Sequence, residues 1–245
     1  MNPVKYDLHI HSCLSPCGDS DMTPNNIAGM AALNGIRVAA LTDHNTSKNC
    51  SAFFEACRRY GVVPIAGMEL TTLEEIHTVC LFPTLESAMK FDAYVDTRRM
   101  KIKNKPSIFG EQLIMNADDE IIGNEESLLI MATDMDLNEV AQVARNMGGV
   151  AFPAHIDKSS NGIIAILGDF PPDPGFTAFE VRDESKLPEL KEKYPIINGL
   201  FAVTDSDAHL LESMNLDPPI FPGVEDTDDE DEMRKNIIKK LRGEL

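Results

Sequence analysis

Apolar residues run along this chain in two rhythms. Short, nearly continuous apolar runs occur in VKYDLHIHS, VAALTDHN, VVPIAGMEL, HTVCLFP, GVAFPAHI, FTAFEVRD and GLFAVTDSDAH. Such runs predict strands buried on both faces, because a strand with one face in water would alternate apolar with polar residues. Between them lie stretches such as SAFFEACRRYG, with apolar residues three and four apart, which predict amphipathic helices. One helix is expected to open at Thr23-Pro24, where threonine caps the first turn and proline fits it without losing a hydrogen bond. Strand and helix alternating in this way predict βα units around a parallel sheet, an α/β fold covered on all sides.

The rhythm breaks over residues 86–145. ESAMKFDAYVDTRRMKIKNK predicts a helix reaching Lys105, EQLIMNADDEIIG a hairpin turning at NADD, and DLNEVAQVARNMGG a helix closed by glycine. We read this stretch as a small insert that folds over the C-terminal ends of the strands, within a main domain over residues 1–223. Residues 224–245 carry the acidic run EDTDDEDE and the amphipathic RKNIIKKLRGEL, a solvated segment with a C-terminal helix.

At 245 residues one large core is expected. Forty acidic against 22 basic residues give a formal charge of −18. That charge predicts repulsion of anionic membranes and of long nucleic acids, so an anionic substrate must be attracted locally. No apolar run approaches the ~20 residues needed to cross a bilayer, and MNPVKYDLHI lacks the apolar stretch of a secretion signal. A soluble, cytoplasmic protein is expected. Five cysteines at irregular spacing fit a reduced compartment and incidental thiols, although Cys13 and Cys17 stand beside the first histidine pair.

The chemistry is concentrated in the histidines. His9, His11, His44, His77, His155 and His209 each stand at or just beyond the end of an apolar run, so separate strands bring imidazoles to one edge. Imidazole is the commonest protein metal ligand, which points to a polynuclear metal centre on the C-terminal face of a barrel. Carboxylates accompany the histidines: Asp19 and Asp21 after the first strand, then Asp43, Glu69, Asp205 and Asp207. Residues two apart on a strand share a face, which couples His9 to His11 and Asp207 to His209.

The ordered set LHIH, TDH, GMEL, EIHTV, PAH and SDAH, over residues 6–209, resembles the polymerase and histidinol phosphatase (PHP) family of metal-dependent phosphoesterases. The resemblance implies a distorted (β/α)7 barrel holding two or three Mn, Zn or Fe ions. It assigns His9, His11, Asp19, His44, Glu69, His77, His155, Asp207 and His209 as ligands, with Glu69 bridging two ions. Asp19 is carried over because it stands four residues before Thr23, as in the nucleotide-acting branch; Asp21 and Cys17 remain alternatives. Asp43, Glu69 and His209 are the expected catalytic residues, and Asp43 and Asp205 orient imidazoles or cap strand ends.

Three carboxylates and six neutral imidazoles around three divalent ions leave a positive pocket suited to a phosphate dianion and a hydroxide. The expected activity is hydrolysis of a small phosphorylated metabolite, a nucleotide or nucleoside 3',5'-bisphosphate, by metal-activated hydroxide. A short-oligonucleotide exonuclease, a histidinol-phosphate-type phosphatase, an amidohydrolase and a non-catalytic metal-binding regulatory module are the alternatives. Substrate contacts are expected from Arg98, Arg99, Lys101 and Lys105, three of which would share a helix face, and from the strand-end cations Lys158 and Arg182. Oligomeric state is left open.

Overall fold

Strands and helices follow one another as the two rhythms predict. The computed structural model describes residues 3–173 and 175–245. Its first half runs β1 (Pro3–Ile10), α1 (Pro24–Leu33), β2 (Val38–Leu41), α2 (Cys50–Tyr60), β3 (Val63–Thr71), β4 (His77–Phe82) and α3 (Leu85–Asp96). Next come α4 (Pro106–Phe109), the hairpin β5 (Leu113–Met115) and β6 (Ile121–Asn124), α5 (Leu137–Asn146) and β7 (Val150–Pro153). The chain ends with α6 (Ile163–Leu167), β8 (Ala178–Glu180), α7 (Leu187–Lys193), β9 (Phe201–Val203), β10 (Ile220–Glu225) and α8 (Glu230–Leu241). Thr23 Oγ1 caps α1 by accepting the Asn26 N–H at 3.2 Å, as its sequence predicts.

Six strands form one curled sheet in the order β10-β1-β2-β3-β4-β7, and β8 and β9 pair separately. The two parts meet through the Ile156 N–H on Glu180 O (2.9 Å) and the His11 N–H on Ala208 O (3.0 Å). The result is the expected α/β fold of distorted-barrel type, although no single ladder expresses a sevenfold repeat. The sheet is not wholly parallel as expected, because β4 runs antiparallel to both β3 and β7. Only residues 72–76 separate β3 from β4, whereas a parallel crossover takes a dozen or more.

The inner face carries Val4, Leu8, Val38, Ala40, Val63, Ile65, Val79, Leu81, Val150 and Phe152. The outer face, with Ile10, Leu41, Met68 and Phe82, is covered by Ile27 of α1, Phe53 of α2, Phe91 of α3 and Val140 of α5. Each such side chain contributes about 1.5–3 kcal/mol on burial. Met233, Ile237 and Leu241 of α8 join the inner cluster, so the C-terminal helix packs into the same core as the strands.

One irregularity in β1 directs the histidines. Asp7 pairs with Ala39 but Ile10 with Leu41, so β1 holds one extra residue between these pairs. Such a bulge re-aims side chains. Leu8 points to the inner cluster and Ile10 to the outer one, so His9 and His11, of opposite parity to Ile10, face inward above Leu8.

Helices α3 and α5 pack on the barrel, and the chain leaves it between them. The hairpin forms where predicted, but the helix predicted to Lys105 ends at Asp96. Beyond Arg98 the sequence MKIK alternates apolar and basic residues, a strand period, and Arg99 and Lys103 bridge to Thr133 and Ser127. Among the described residues no helix is long and apolar enough to cross a membrane.

Candidate metal centre

Glu69 stands near the C-terminal end of the buried strand β3, and its carboxylate lies at the middle of five imidazoles. Oε1 is 2.9 Å from His77 Nδ1, 3.1 Å from His155 Nε2 and 3.4 Å from His9 Nε2. Oε2 is 3.1 Å from His44 Nδ1 and 3.3 Å from His11 Nε2. His77 arrives from the N-terminal end of β4, which the antiparallel hairpin brings to the same edge as the C-terminal end of β3. Asp207 Oδ1 adds contacts of 3.5 Å to His9 and 3.3 Å to His11. His155 (φ 29°) and Asp207 (φ 45°) have left-handed backbone, a strained state for non-glycine residues that clusters at functional sites.

The donors form three overlapping sets: His9, His11, Glu69 and Asp207; His44, Glu69 and His77; His11, His44 and His209. Within each set the donor atoms lie within 4.8 Å of one another. His9 Nε2 and His11 Nε2 face each other at 3.1 Å. Two ligands each about 2.1 Å from one ion stand about 3.0–3.4 Å apart, so this spacing suits a shared cation. His44 Nδ1, the atom facing Glu69, is buried without a hydrogen-bond partner, a donor left for an ion to take. Buried imidazoles and carboxylates so placed fit divalent metal ions, for which mixed nitrogen and oxygen ligands are suited.

Neighbouring groups set the ring orientations. His11 Nδ1 donates to Ser15 Oγ at 3.0 Å, and that hydroxyl donates to Asp43 Oδ1 at 2.7 Å. Asp43 also accepts the Ser12 N–H and hydroxyl, so it holds the loop after β1 and reaches an imidazole only through Ser15. Asp205 accepts the Leu8 N–H at 2.6 Å and anchors β1 instead of an imidazole. Glu180, fully buried at the end of β8, accepts from His9 Nδ1 at 2.7 Å and from the His155 N–H at 3.3 Å. Sequence reasoning missed Glu180. Its signal is the one that revealed Glu69: a lone carboxylate ending an apolar run.

Without ions the cluster is electrostatically polarised. Burial opposes charge on His11, but Asp207 and Glu69 prevail and raise it to about 9; Glu69 likewise outweighs burial at His44, also raised to about 9. Against burial, Glu180 and Glu69 lift His9 well above its ordinary value. Burial and the neighbouring His11 lower His209 to about 3. Burial disfavours the Glu69 carboxylate, yet His77, His9 and His44 hold its pKa well below the ordinary value.

Not every expected residue is drawn in. Asp19 and Asp21 are exposed, and the Asp19 carboxylate accepts the Asp21 N–H at 2.9 Å. Cys17, the third alternative, is exposed as well and belongs to none of the three donor sets. Arg98 pairs with Asp134 and Glu139, Arg99 with Asp96 and Glu125, and Lys101 with Asp96. These cations are taken up by local carboxylates, and no helix face unites Arg98, Lys101 and Lys105. Lys158 Nζ and Arg182 Nη1 do reach the centre, at 2.7 and 3.2 Å from Asp207 Oδ2.

Similar proteins share this architecture. A protein assigned as a metal-dependent phosphoesterase from Bifidobacterium adolescentis superposes with a TM-score of 0.61 at 19% identity, covering 98% of both chains. Endonuclease Q of Pyrococcus furiosus gives 0.65 at 18%, covering 98% of this chain and 56% of its own. Curated relatives match shorter stretches. An uncharacterized Methanocaldococcus jannaschii protein is 37% identical over 79 residues, and a Haemophilus influenzae 5'-3' exoribonuclease 36% over 80, or 46% and 28% of their lengths. An endonuclease Q structure of the same fold (TM-score 0.60, 18% identity, 99% of this chain and 57% of that one) holds a 27-mer duplex with an abasic lesion. The expectation of no long nucleic acid, drawn from net charge alone, therefore falls: global repulsion is screened beyond about 10 Å, and local cations govern contact. The PHP domain model matches residues 7–149, more than half of the sequence, and the chain belongs to the PHP domain family of metal-dependent phosphoesterases.

Proposed function

We propose that this chain hydrolyses a phosphoester bond of a nucleotide substrate, either a nucleoside 3',5'-bisphosphate or the terminal phosphoester of a short oligonucleotide. The observation that carries this reading is the pairing of three overlapping donor sets with two cations, Lys158 and Arg182, at the same edge. The sets would accommodate two or three ions of Mn, Zn or Fe, with Glu69 shared between two of them. Such ions supply Lewis-acid activation of water and neutralise phosphate charge.

The chain's own groups do the rest. Glu180 and Ser15 hold the His9 and His11 rings with Nε2 toward the centre. Lys158 and Arg182, partly exposed above Asp207, receive the non-bridging phosphate oxygens and orient the ester. His209 spends Nδ1 on the Asp207 carbonyl at 2.8 Å, which leaves Nε2 for the donor set it shares with His11 and His44. The test is metal analysis alongside product release from nucleoside bisphosphates, mononucleotides, sugar phosphates and short oligonucleotides. Chelator-sensitive turnover, restored by Mn, Zn or Fe and strongest on nucleotides, is expected. A preference for sugar or histidinol phosphates would overturn the substrate class, and metal-loaded protein inert on every phosphoester would overturn hydrolysis. Similarity to the exoribonuclease favours oligonucleotides as the second reading.

A further inference from the structure

Residues 100–111 depart from the rest of the molecule in polarity and in charge. Met100, Ile102, Ile108 and Phe109 are 46%, 46%, 68% and 38% exposed, and α4 buries none of its side chains. Three lysines, 101, 103 and 105, face a single acid, Glu111, in a chain of net charge −18. Lys101 pairs with Asp96, whereas Lys103 and Lys105 have no carboxylate partner among the described residues.

This segment is rooted beside the metal centre. A Cβ on Gly110 would stand 2.2 Å from Pro16 O, so only glycine permits this approach to the loop after β1. Buried Asn104 holds the turn from beneath, donating to Gly110 O at 2.9 Å, and the Leu113 N–H reaches Cys13 O at 2.9 Å. Pro16 follows Ser15, whose hydroxyl oxygen accepts from His11 Nδ1 at 3.0 Å and from the His44 N–H at 3.1 Å. Phe109 is thus fixed one residue from the point where the insert meets the rim of the centre.

We propose that Phe109, with Ile108, Lys103 and Lys105, forms a stacking platform for a single-stranded nucleic-acid segment continuous with the scissile phosphoester. The proposal rests on the reading of the centre as a nucleotide phosphoesterase. Phe109 stands one turn beyond Lys105, its N–H on Lys105 O at 3.0 Å, and an exposed aromatic ring beside unpaired cations is the arrangement that binds single strands without regard to sequence: the ring stacks a base and the cations track the backbone. The unpaired lysines complement a phosphate backbone, and the exposed ring beside them offers a face on which a base stacks.

The chain contains no tryptophan, so Phe109→Trp places a single fluorescent reporter on the platform. Metal-loaded protein is titrated with a single strand of about 12 nucleotides carrying terminal phosphorothioates. Strand-dependent quenching of the introduced indole is expected. Phe109→Ala should weaken fluorescein-strand binding about 5- to 100-fold, without change in melting temperature. Lys103→Gln with Lys105→Gln should weaken it and lower the salt slope by about 1.4. In each variant the ratio of kcat/KM for the strand to that for p-nitrophenyl phosphate should drop.

Strand binding equal to wild type in the Phe109→Ala and double-lysine variants, or an unquenched indole in a strand-bound complex of the Phe109→Trp variant, would overturn the platform. So would wild type that hydrolyses p-nitrophenyl phosphate but binds no strand. A dimer that Phe109→Ala dissociates with strand affinity intact would reassign the surface to self-association. Wild type inert on every phosphoester defeats the hydrolase reading instead, and quenching in the Phe109→Trp variant then decides the platform independently.

Discussion

Stripping ions from the centre should leave a protein whose stability falls with rising pH over the same range in which its metal affinity climbs. His11 and His44 are raised from 6.5 to about 9 by carboxylates that outweigh burial. Groups raised in the folded state stabilise fully below the unfolded value, and that stability is lost as pH rises to the folded one. Each shift of about 2.5 units corresponds to at most ~3.4 kcal/mol at 1.36 kcal/mol per unit. The two rings, with centroids 4.6 Å apart, oppose each other's protonation, so about 3 kcal/mol is expected for the pair. For a chain of this size that is a drop of roughly 6–12 °C in Tm between pH 6.5 and 9. Below pH 6.5 stability should also fall, because His209, lowered to about 3, stays neutral in the fold while the unfolded chain protonates. Metal binding needs neutral imidazoles, so the gain in Tm on adding Mn or Zn should grow from pH 6.5 to 9. Thermal melts of chelator-treated and reloaded protein across this range test both slopes. A metal-free Tm that is flat or rising between pH 6.5 and 9 would refute the carboxylate-centred cluster.

Other perturbations separate the roles of individual residues. Glu180→Gln removes the charge behind His9 while keeping its shape; metal affinity measured by calorimetry should fall about 10- to 100-fold, and an unchanged affinity would assign Glu180 to packing. Glu69→Ala should lower bound-metal stoichiometry and turnover together, so full metal content at near-normal rate would sink the bridging role. Lys158→Ala and Arg182→Ala should each reduce kcat/KM for phosphorylated substrates about tenfold or more with metal content retained, since a charge-assisted contact contributes roughly 1.5–3 kcal/mol. Equal rates in these variants would show that both cations only neutralise Asp207.

Fold class, the order of most elements and the gathering of six histidines were legible in the sequence because they depend on local patterns. Burial on both faces writes a continuous apolar run, helices write a period near 3.6, and a ligand at a strand end follows such a run directly. What the sequence could not determine is set by contacts between distant segments. The direction of β4 follows from closure of a short turn, and the inward aim of His9 and His11 from an extra residue in β1 whose partner strand is over 20 residues away. Arg98 and Arg99 read as free cations until the fold supplied Asp134, Glu139 and Glu125. Glu180 reads as one acid among forty until the fold sets β8 against β9 and leaves its carboxylate buried within reach of the His9 imidazole. Periodicity reports whether a residue is buried, since burial acts on each position separately; which partner it meets there is a property of the closed barrel, and only the tertiary structure decides it.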